Sequence, residues 1–503
     1  MPDPLLLGID VGTYSAKASL IRDDGECIGV GVKTYLVNTP RPGWAEQDPE
    51  DWIEGVVQAV HSARRQANSD LSSIKGIGLS GQMHGTVCLS ADGIPVRPAI
   101  IWADQRSNQE VQWVIETLGK ANLANWTGNP LATGFMLATW LWLERHEPRT
   151  MSQTVSLLLP KDYVRYRLTG LKGTEPSDAS STLLFDPRQR VWSTSISDTL
   201  ELDFKKLPPV FPSASVAGGL SVDLAARLGL EAGIPIVFGG SDQAMQALGN
   251  GVIKPGTLSA TIGTGGQLFA PTAQSVIDPE LRMHSFCHIL PDLWHVETAI
   301  LSAGLSLRWL RDQVLHLDTY GEMADAATKV PAGAEGLIFQ PYLAGERTPH
   351  MDASLRGSFV GLTRRHSRAH MIRSVMEGVV FALRQGMDLM SKLGVPIDRV
   401  LASGGATRHP LWLQLQADIF NRRIHRTISQ EAAAEGAAML AGIGVGIYKN
   451  GQDAVNQAVH PHPEVFEPDP RRAAHYAERY PVYCSLHQAL ADTVHQLTDW
   501  EST

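Results

Sequence analysis

Leu5-Leu6-Leu7-Gly8-Ile9-Asp10-Val11-Gly12-Thr13 is an apolar run that ends in an acid and a glycine turn. A second strand-like run follows from Lys17 to Ile21, then the turn pair Asp24-Gly25, then alternating residues through Val32. The design returns in the second half, where Thr257 to Ile262 runs into Gly263-Thr264-Gly265-Gly266 and is followed by Gln267 to Ala270. Each stretch predicts a strand, a tight glycine turn and a returning strand. No short-period similarity accompanies them, which excludes a solenoid. The pattern is one hairpin unit used once per domain.

Helical and strand patterns fill the space between these units. Asp48-Pro49-Glu50-Asp51 predicts a helix start, with Asp48 as N-cap and Pro49 at the first helical position. Trp52, Val56, Val57 and Val60 then recur at helical spacing. Ile74 to Leu79 and Ile234 to Phe238 read as strands. Alternation of this kind predicts an α/β fold with layered helices and sheets. At 503 residues the chain exceeds what one core supports. Gly249-Asn250-Gly251 and Pro255-Gly256 set the expected boundary, giving domains 1–250 and 251–503.

Composition narrows the partners. A net charge of -9 argues against nucleic acid or an anionic membrane and favours a small substrate. Cys27, Cys88, Cys287 and Cys484 are far apart, with no metal-ligand spacing, and read as reduced thiols. Met1-Pro2-Asp3-Pro4 has no basic region ahead of its short apolar run, so it does not read as a secretory signal. The apolar run Gly436 to Tyr448 is too short and glycine-rich to span a bilayer. The expectation is a cytoplasmic protein. A P-loop, a GxSxG elbow and an HExxH motif are all missing from the sequence. Gly76, Gly78 and Gly81 do form a GxGxxG, but within a strand-like segment instead of at a helix start.

The two glycine turns fit phosphate chemistry, since glycine and a small hydroxyl residue let backbone N–H groups approach closely. Asp10 adds a carboxylate suited to holding Mg²⁺ through water. Either turn alone is also an ordinary hairpin. Asp242 follows the strand Ile234 to Phe238 through Gly239-Gly240-Ser241 and precedes a helix from Gln243. There it either caps the helix or, as an ionised carboxylate at a helix N-terminus, serves as a general base. Ser80-Gly81-Gln82-Met83-His84-Gly85 ends another strand and could shape a pocket with Gln82, Met83 and His84, although a lone strand-end histidine is commonly structural. Ser403-Gly404-Gly405-Ala406-Thr407, between Val400 to Ala402 and a helix from about Pro410, fits either a nucleotide or a plain turn.

In this order the elements resemble the FGGY family of carbohydrate kinases, from Leu7 to about Ile447. The resemblance implies two actin-like, ribonuclease-H-like domains around a cleft, with ATP and Mg²⁺ as co-substrate and metal. It implies Asp242 as catalytic base and Asp10 at the metal. Gln82, Met83, His84, Asp242 and Gln243 would contact the sugar, assisted by Trp102, Asp104 and Arg106. Gly12, Thr13, Gly263, Thr264 and Gly265 would hold phosphates, and Gly404, Gly405 and Ala406 would face adenosine. Trp44-Ala45-Glu46-Gln47-Asp48-Pro49, Leu159-Pro160-Lys161-Asp162-Tyr163 and Gly345-Glu346-Arg347-Thr348-Pro349-His350 look like the members that phosphorylate D-xylulose. The alternatives are ribulose, arabitol or glycerol, or a non-catalytic sugar and nucleotide sensor. Thr139 replaces a common lysine, Tyr14-Ser15 a Ser-Gly, Gly265-Gly266 another Ser-Gly, and Gln243 a frequent asparagine. The family implies a homodimer.

Overall fold

The computed structural model describes residues 4–67, 73–429 and 431–501. Two seven-stranded sheets organise it. In the first, β1 (Leu5–Val11), β2 (Ser15–Arg22) and β3 (Cys27–Thr34) form an antiparallel meander, with Asp10 opposite Lys17. On its other side β1 pairs in parallel with β4 (Ile74–Gly81). The sheet continues to β6 (Pro235–Val237), which pairs antiparallel with the edge strand β5 (Val216–Gly219). The short β7 (Gly240–Ser241) runs parallel to the end of β4.

The second sheet repeats this plan. β8 (Gly256–Ile262) and β9 (Gly266–Thr272) form the hairpin, β9 pairs with β11 (Trp294–Ile300), and β10 (His284–Cys287) adds an edge. On the other side β8 is parallel to β12 (Ile397–Ser403), which is parallel to β13 (Ile424–Arg426). Both glycine turns therefore sit at the carboxyl end of a central strand beside a parallel neighbour, where open α/β sheets bind ligands.

Helices cover both sheets. α1 (Pro49–Ala67) starts as the sequence predicts, with the Asp48 carboxylate accepting the Glu50 N–H at 3.0 Å, and packs Trp52, Val56 and Val60 inward. The apolar run near 436 is α6 (Ala432–Gly444), a helix in the middle of the molecule. It comes from the second half of the chain yet lies on β1 and β4. A Cβ on Gly8 would fall 1.7 Å from the Ala434 carbonyl oxygen, and one on Gly78 1.8 Å from that of Ala437. The GxGxxG match is thus a smooth strand face for a helix backbone.

The chain after residue 450 also has a place. α7 (Pro470–Glu501) packs Tyr476 and Tyr483 into the second core, where the Tyr476 hydroxyl donates to Glu377 at 2.6 Å. Among the described residues no helix is long and apolar enough to cross a membrane.

Candidate active site

Three parallel strand ends converge in the first sheet. Asp10 stands opposite Ser80, and Gly240 and Ser241 lie beside Ser80 and Gly81. The ends therefore deliver Asp10, the Gln82–His84 stretch and Asp242 to one spot. The Ser80 hydroxyl donates to Asp10 at 2.8 Å. Burial pushes the Asp10 carboxyl up from its ordinary range; the Ser80 hydroxyl and Lys17 oppose this, while Glu431 adds to it.

Asp242 is the first residue of the helix Asp242–Gly249, one position earlier than the sequence predicts, and Ser241 occupies the N-cap position. Its Oδ1 is buried and has no hydrogen-bond partner. Burial pushes the carboxyl well above the usual carboxylate range, Asp10 and Glu297 add to the rise, and the Gln243 N–H it accepts works against it. A buried, unpartnered acceptor is costly to maintain and marks a group waiting for a proton or a donor.

The Gln82–His84 stretch is equally constrained. Gln82 is buried, and its amide donates to Gln47 at 2.9 Å. Met83 is buried next to it. His84 has φ +71 and packs in a tilted contact against Phe135 at 3.9 Å between ring centroids. Burial lowers its imidazole to about 4; the bond to the Ser181 carbonyl opposes this, and Arg347 reinforces it. Because a carbonyl only accepts, the 2.7 Å contact to the Ser181 oxygen makes Nδ1 the donor. A neutral His84 then presents Nε2 as an acceptor. Thr139, where a lysine is common, is buried one turn beyond Phe135.

The remaining residues divide. Trp102 is exposed, and its indole N–H donates to the Thr13 hydroxyl at 2.8 Å, tying its loop to the first turn. Asp104 and Arg106 form a buried pair at 2.7 Å, and the Arg106 guanidinium sits 3.6 Å over the Trp44 ring and 2.7 Å from Glu46. Gln243 is half-buried beside Asp242. In the first turn the Gly12 N–H donates to the Ser15 carbonyl at 3.0 Å, and Tyr14 points outward at 67% exposure, so its bulk does not fill the turn.

The second sheet brings its own two stretches together. Thr261 lies opposite Ser403, and their hydroxyls are 2.7 Å apart. A Cβ on Gly404, at φ +82, would lie 2.6 Å from the Ile262 carbonyl oxygen, so the turn at 403–406 rests on the strand that leads to Gly263. Gly263, Thr264, Gly404 and Gly405 are exposed, and Ala406 is buried beneath them. The Gly304 and Leu305 N–H groups bind the Gly263 and Thr264 carbonyls, each at 2.9 Å, and fix the loop from behind.

Some residues escape sequence reasoning. Glu297, on β11, is buried, receives the Gln267 amide at 3.1 Å and lies 3.0 Å from His295. Burial lifts its carboxyl to about 8, with the Gln267 amide opposing. His284 stacks on Phe286 at 5.4 Å within the same aromatic layer as His84 and Phe135. No motif flags them, because strand pairing alone assembles the layer.

Family models fit this geometry. The N-terminal domain model of the FGGY family of carbohydrate kinases matches residues 5–249, and the C-terminal domain model matches 258–445. The chain belongs to the FGGY family of carbohydrate kinases. As an FGGY member it is a carbohydrate kinase with the family's two actin-like domains. It is 36% identical to the xylulose kinase of Staphylococcus epidermidis over 97% of both chains. With the xylulose kinase of Escherichia coli K12 it shares 35% identity over 97% of this chain and 99% of the other. Among solved structures, a kinase of Brucella ovis described as a xyloylose kinase superposes with a TM-score of 0.91 at 34% identity, covering 97% of this FGGY chain and all 100% of its own.

The donor set at the first sheet fits a hydrated Mg²⁺. Asp10 and Asp242 offer hard carboxylate oxygens, one of them orphaned. Among the described residues no group of three or more His, Cys, Asp or Glu forms an all-protein cage. Waters and phosphate oxygens would complete the shell, as Mg²⁺ prefers.

Proposed function

We propose that this kinase transfers the γ-phosphoryl group of ATP to the terminal hydroxyl of D-xylulose, giving D-xylulose 5-phosphate, with Asp242 as general base. The observation that carries the reading is the buried, partnerless Oδ1 of Asp242 at the junction of the sugar-side and phosphate-side strand ends. The hydroxyl oxygen attacks the γ-phosphorus as its proton passes to Asp242, and ADP leaves in line. Gln82, Met83, His84 and Gln243 line the sugar, with His84 Nε2 accepting a hydroxyl hydrogen. Trp102 closes the side nearest Thr13, while Asp104 and Arg106 shape the wall through their mutual pair. Backbone N–H groups of Thr13, Thr264 and Gly265 hold phosphates, Gly12 and Gly263, whose own N–H groups close the turns onto Ser15 and Gly265, leave room for the phosphates to approach, and Gly404–Ala406 face adenosine. Bound with ATP and held through water by Asp10, Mg²⁺ would neutralise phosphate charge. The xylulose kinase relatives support the substrate.

A second reading has a specific support, since the gluconokinase of Bacillus subtilis is 29% identical over 99% of this chain. An ATP-consumption assay across pentuloses, gluconate, arabitol and glycerol separates the two. D-xylulose is expected to give the highest kcat/KM, and a higher value for any other substrate overturns the assignment. Asp242→Asn is expected to lower kcat by about 10³-fold, within the usual range for a general base. A folded variant with near-normal turnover would sink the base assignment.

A further inference from the structure

The Leu159-Pro160-Lys161-Asp162-Tyr163 stretch has no part in the site just described, yet it lies directly behind it. Lys161 is completely buried. Its ammonium donates to Asp162 at 2.8 Å and to the Phe238 carbonyl at 3.2 Å, and lies 3.3 Å from Asp178 and 3.9 Å from Glu175. Burial works to lower its pKa, but Asp162, Asp178 and Glu175 outweigh burial and keep it charged. A Cβ on Gly81 would meet the Lys161 Cβ at 2.9 Å, and one on Gly239 its Cδ at 3.3 Å. One side chain is thus wedged behind both strand ends that carry Gln82–His84 and Asp242.

Glu175 extends the wedge toward Asp242. It accepts four hydrogen bonds, from the Ser177 and Asp178 N–H groups and from the Ser177 and Ser213 hydroxyls. The Ser177 hydroxyl spends its only proton on Glu175 at 2.7 Å, so its lone pairs are free to accept the Ser241 N–H at 3.0 Å. Ser241 immediately precedes Asp242. The same short helix, Pro176–Ser181, gives the Ser181 carbonyl to His84 and the Ser180 hydroxyl to the Cys287 N–H of the second sheet at 3.1 Å.

We propose that Ser177, held by Glu175 and Lys161, is a positioning residue that sets the start of the Asp242 helix and so aims the Asp242 carboxylate at the sugar hydroxyl. The proposal rests on the reading of Asp242 as base. A displacement of about 1 Å at such a group costs on the order of 10²-fold in rate, and loss of one hydroxyl allows a fraction of that movement. Replacing Lys161 would strand buried carboxylates and threaten folding, so the hydroxyl is the cleaner probe.

With D-xylulose and ATP, Ser177→Ala is expected to lower kcat about tenfold and leave both KM values within about twofold, because His84 is held by a backbone carbonyl that the substitution keeps. Ser177→Thr restores the hydroxyl, and with it the rate. A folded Ser177→Ala enzyme with unchanged kcat, or one whose KM values rise as kcat falls and whose rate Ser177→Thr does not restore, overturns the proposal while Asp242→Asn inactivity leaves the base in place. Turnover retained by Asp242→Asn overturns both.

Discussion

The two glycine hairpins share a topology but differ in what surrounds them. The first ends in buried carboxylates: Asp10 is bonded to Ser80, and Asp242 has an orphaned Oδ1. The second ends in exposed backbone, with Gly263, Thr264, Gly404 and Gly405 open to solvent. One copy of the fold therefore concentrates charge in a dry site, where it acts strongly. The other supplies N–H groups and space. The same frame occurs twice, and burial divides the chemistry between its two copies.

The difference can be broken from the charged side. Asp10→Asn keeps the shape and the Ser80 contact but removes a charge, so kcat should fall about 10²-fold with D-xylulose KM little changed, the magnitude lost with one preorganised electrostatic partner. Steady-state kinetics in saturating Mg²⁺ checks this. Near-normal kcat would mean that the acid of the first hairpin is ornamental, and that the two ends are more alike than their burial implies.

On the open side the prediction is smaller and depends on backbone. Gly404 has φ +82, and a Cβ there would clash with the Ile262 carbonyl, whereas a Cβ on Gly405 meets nothing within 4 Å. Gly404→Ala costs about 1–3 kcal/mol of strain in the turn and should raise KM for ATP about tenfold. Gly405→Ala should change it less than twofold. Equal behaviour of the two variants would remove the adenosine role from this turn.

Sequence reasoning reached the parts of this arrangement that are local. A strand that alternates or stays apolar and then meets Asp-Val-Gly-Thr or Gly-Thr-Gly-Gly carries its own turn chemistry, so both hairpins, Asp10 and the Ser403–Ala406 turn are legible. Asp242 is legible as a strand-end acid, and its unpartnered Oδ1, which supports the proposed base role, is not. Arg106 reads from the sequence as a sugar-pocket residue, but its contacts with Asp104, Glu46 and Trp44 depend on the fold. Lys161 stands in a recognisable motif whose packing is not legible in it, because that packing depends on two strand ends, Gly81 and Gly239, that only the sheet brings together. Glu297 and its histidine neighbours left no trace, since long-range pairing sets their environment.

Glu297 belongs to the second sheet but acts on Asp242 across to the first, and gives the smallest and sharpest test of how dry the charged side is. Burial raises its carboxyl to about 8, far above the ordinary glutamate value. The folded protein therefore keeps a proton that the unfolded chain releases above about pH 4.3. More protons bound in the folded state means stability falls as pH rises, from the unfolded value up to about 8, and is level beyond it. Glu297→Gln keeps the shape and cannot ionise, so it escapes that loss. It should melt close to the wild type at pH 5 and roughly 2 °C or more above it at pH 8.5, a shift that corresponds to about 2 kcal/mol in a chain of this size. Differential scanning calorimetry at the two pH values reads this directly. An equal melting difference at both would mean that Glu297 is already ionised in the fold. The rise assigned to Asp242 would then lose one of its causes, and the charged hairpin end would be wetter than its geometry indicates.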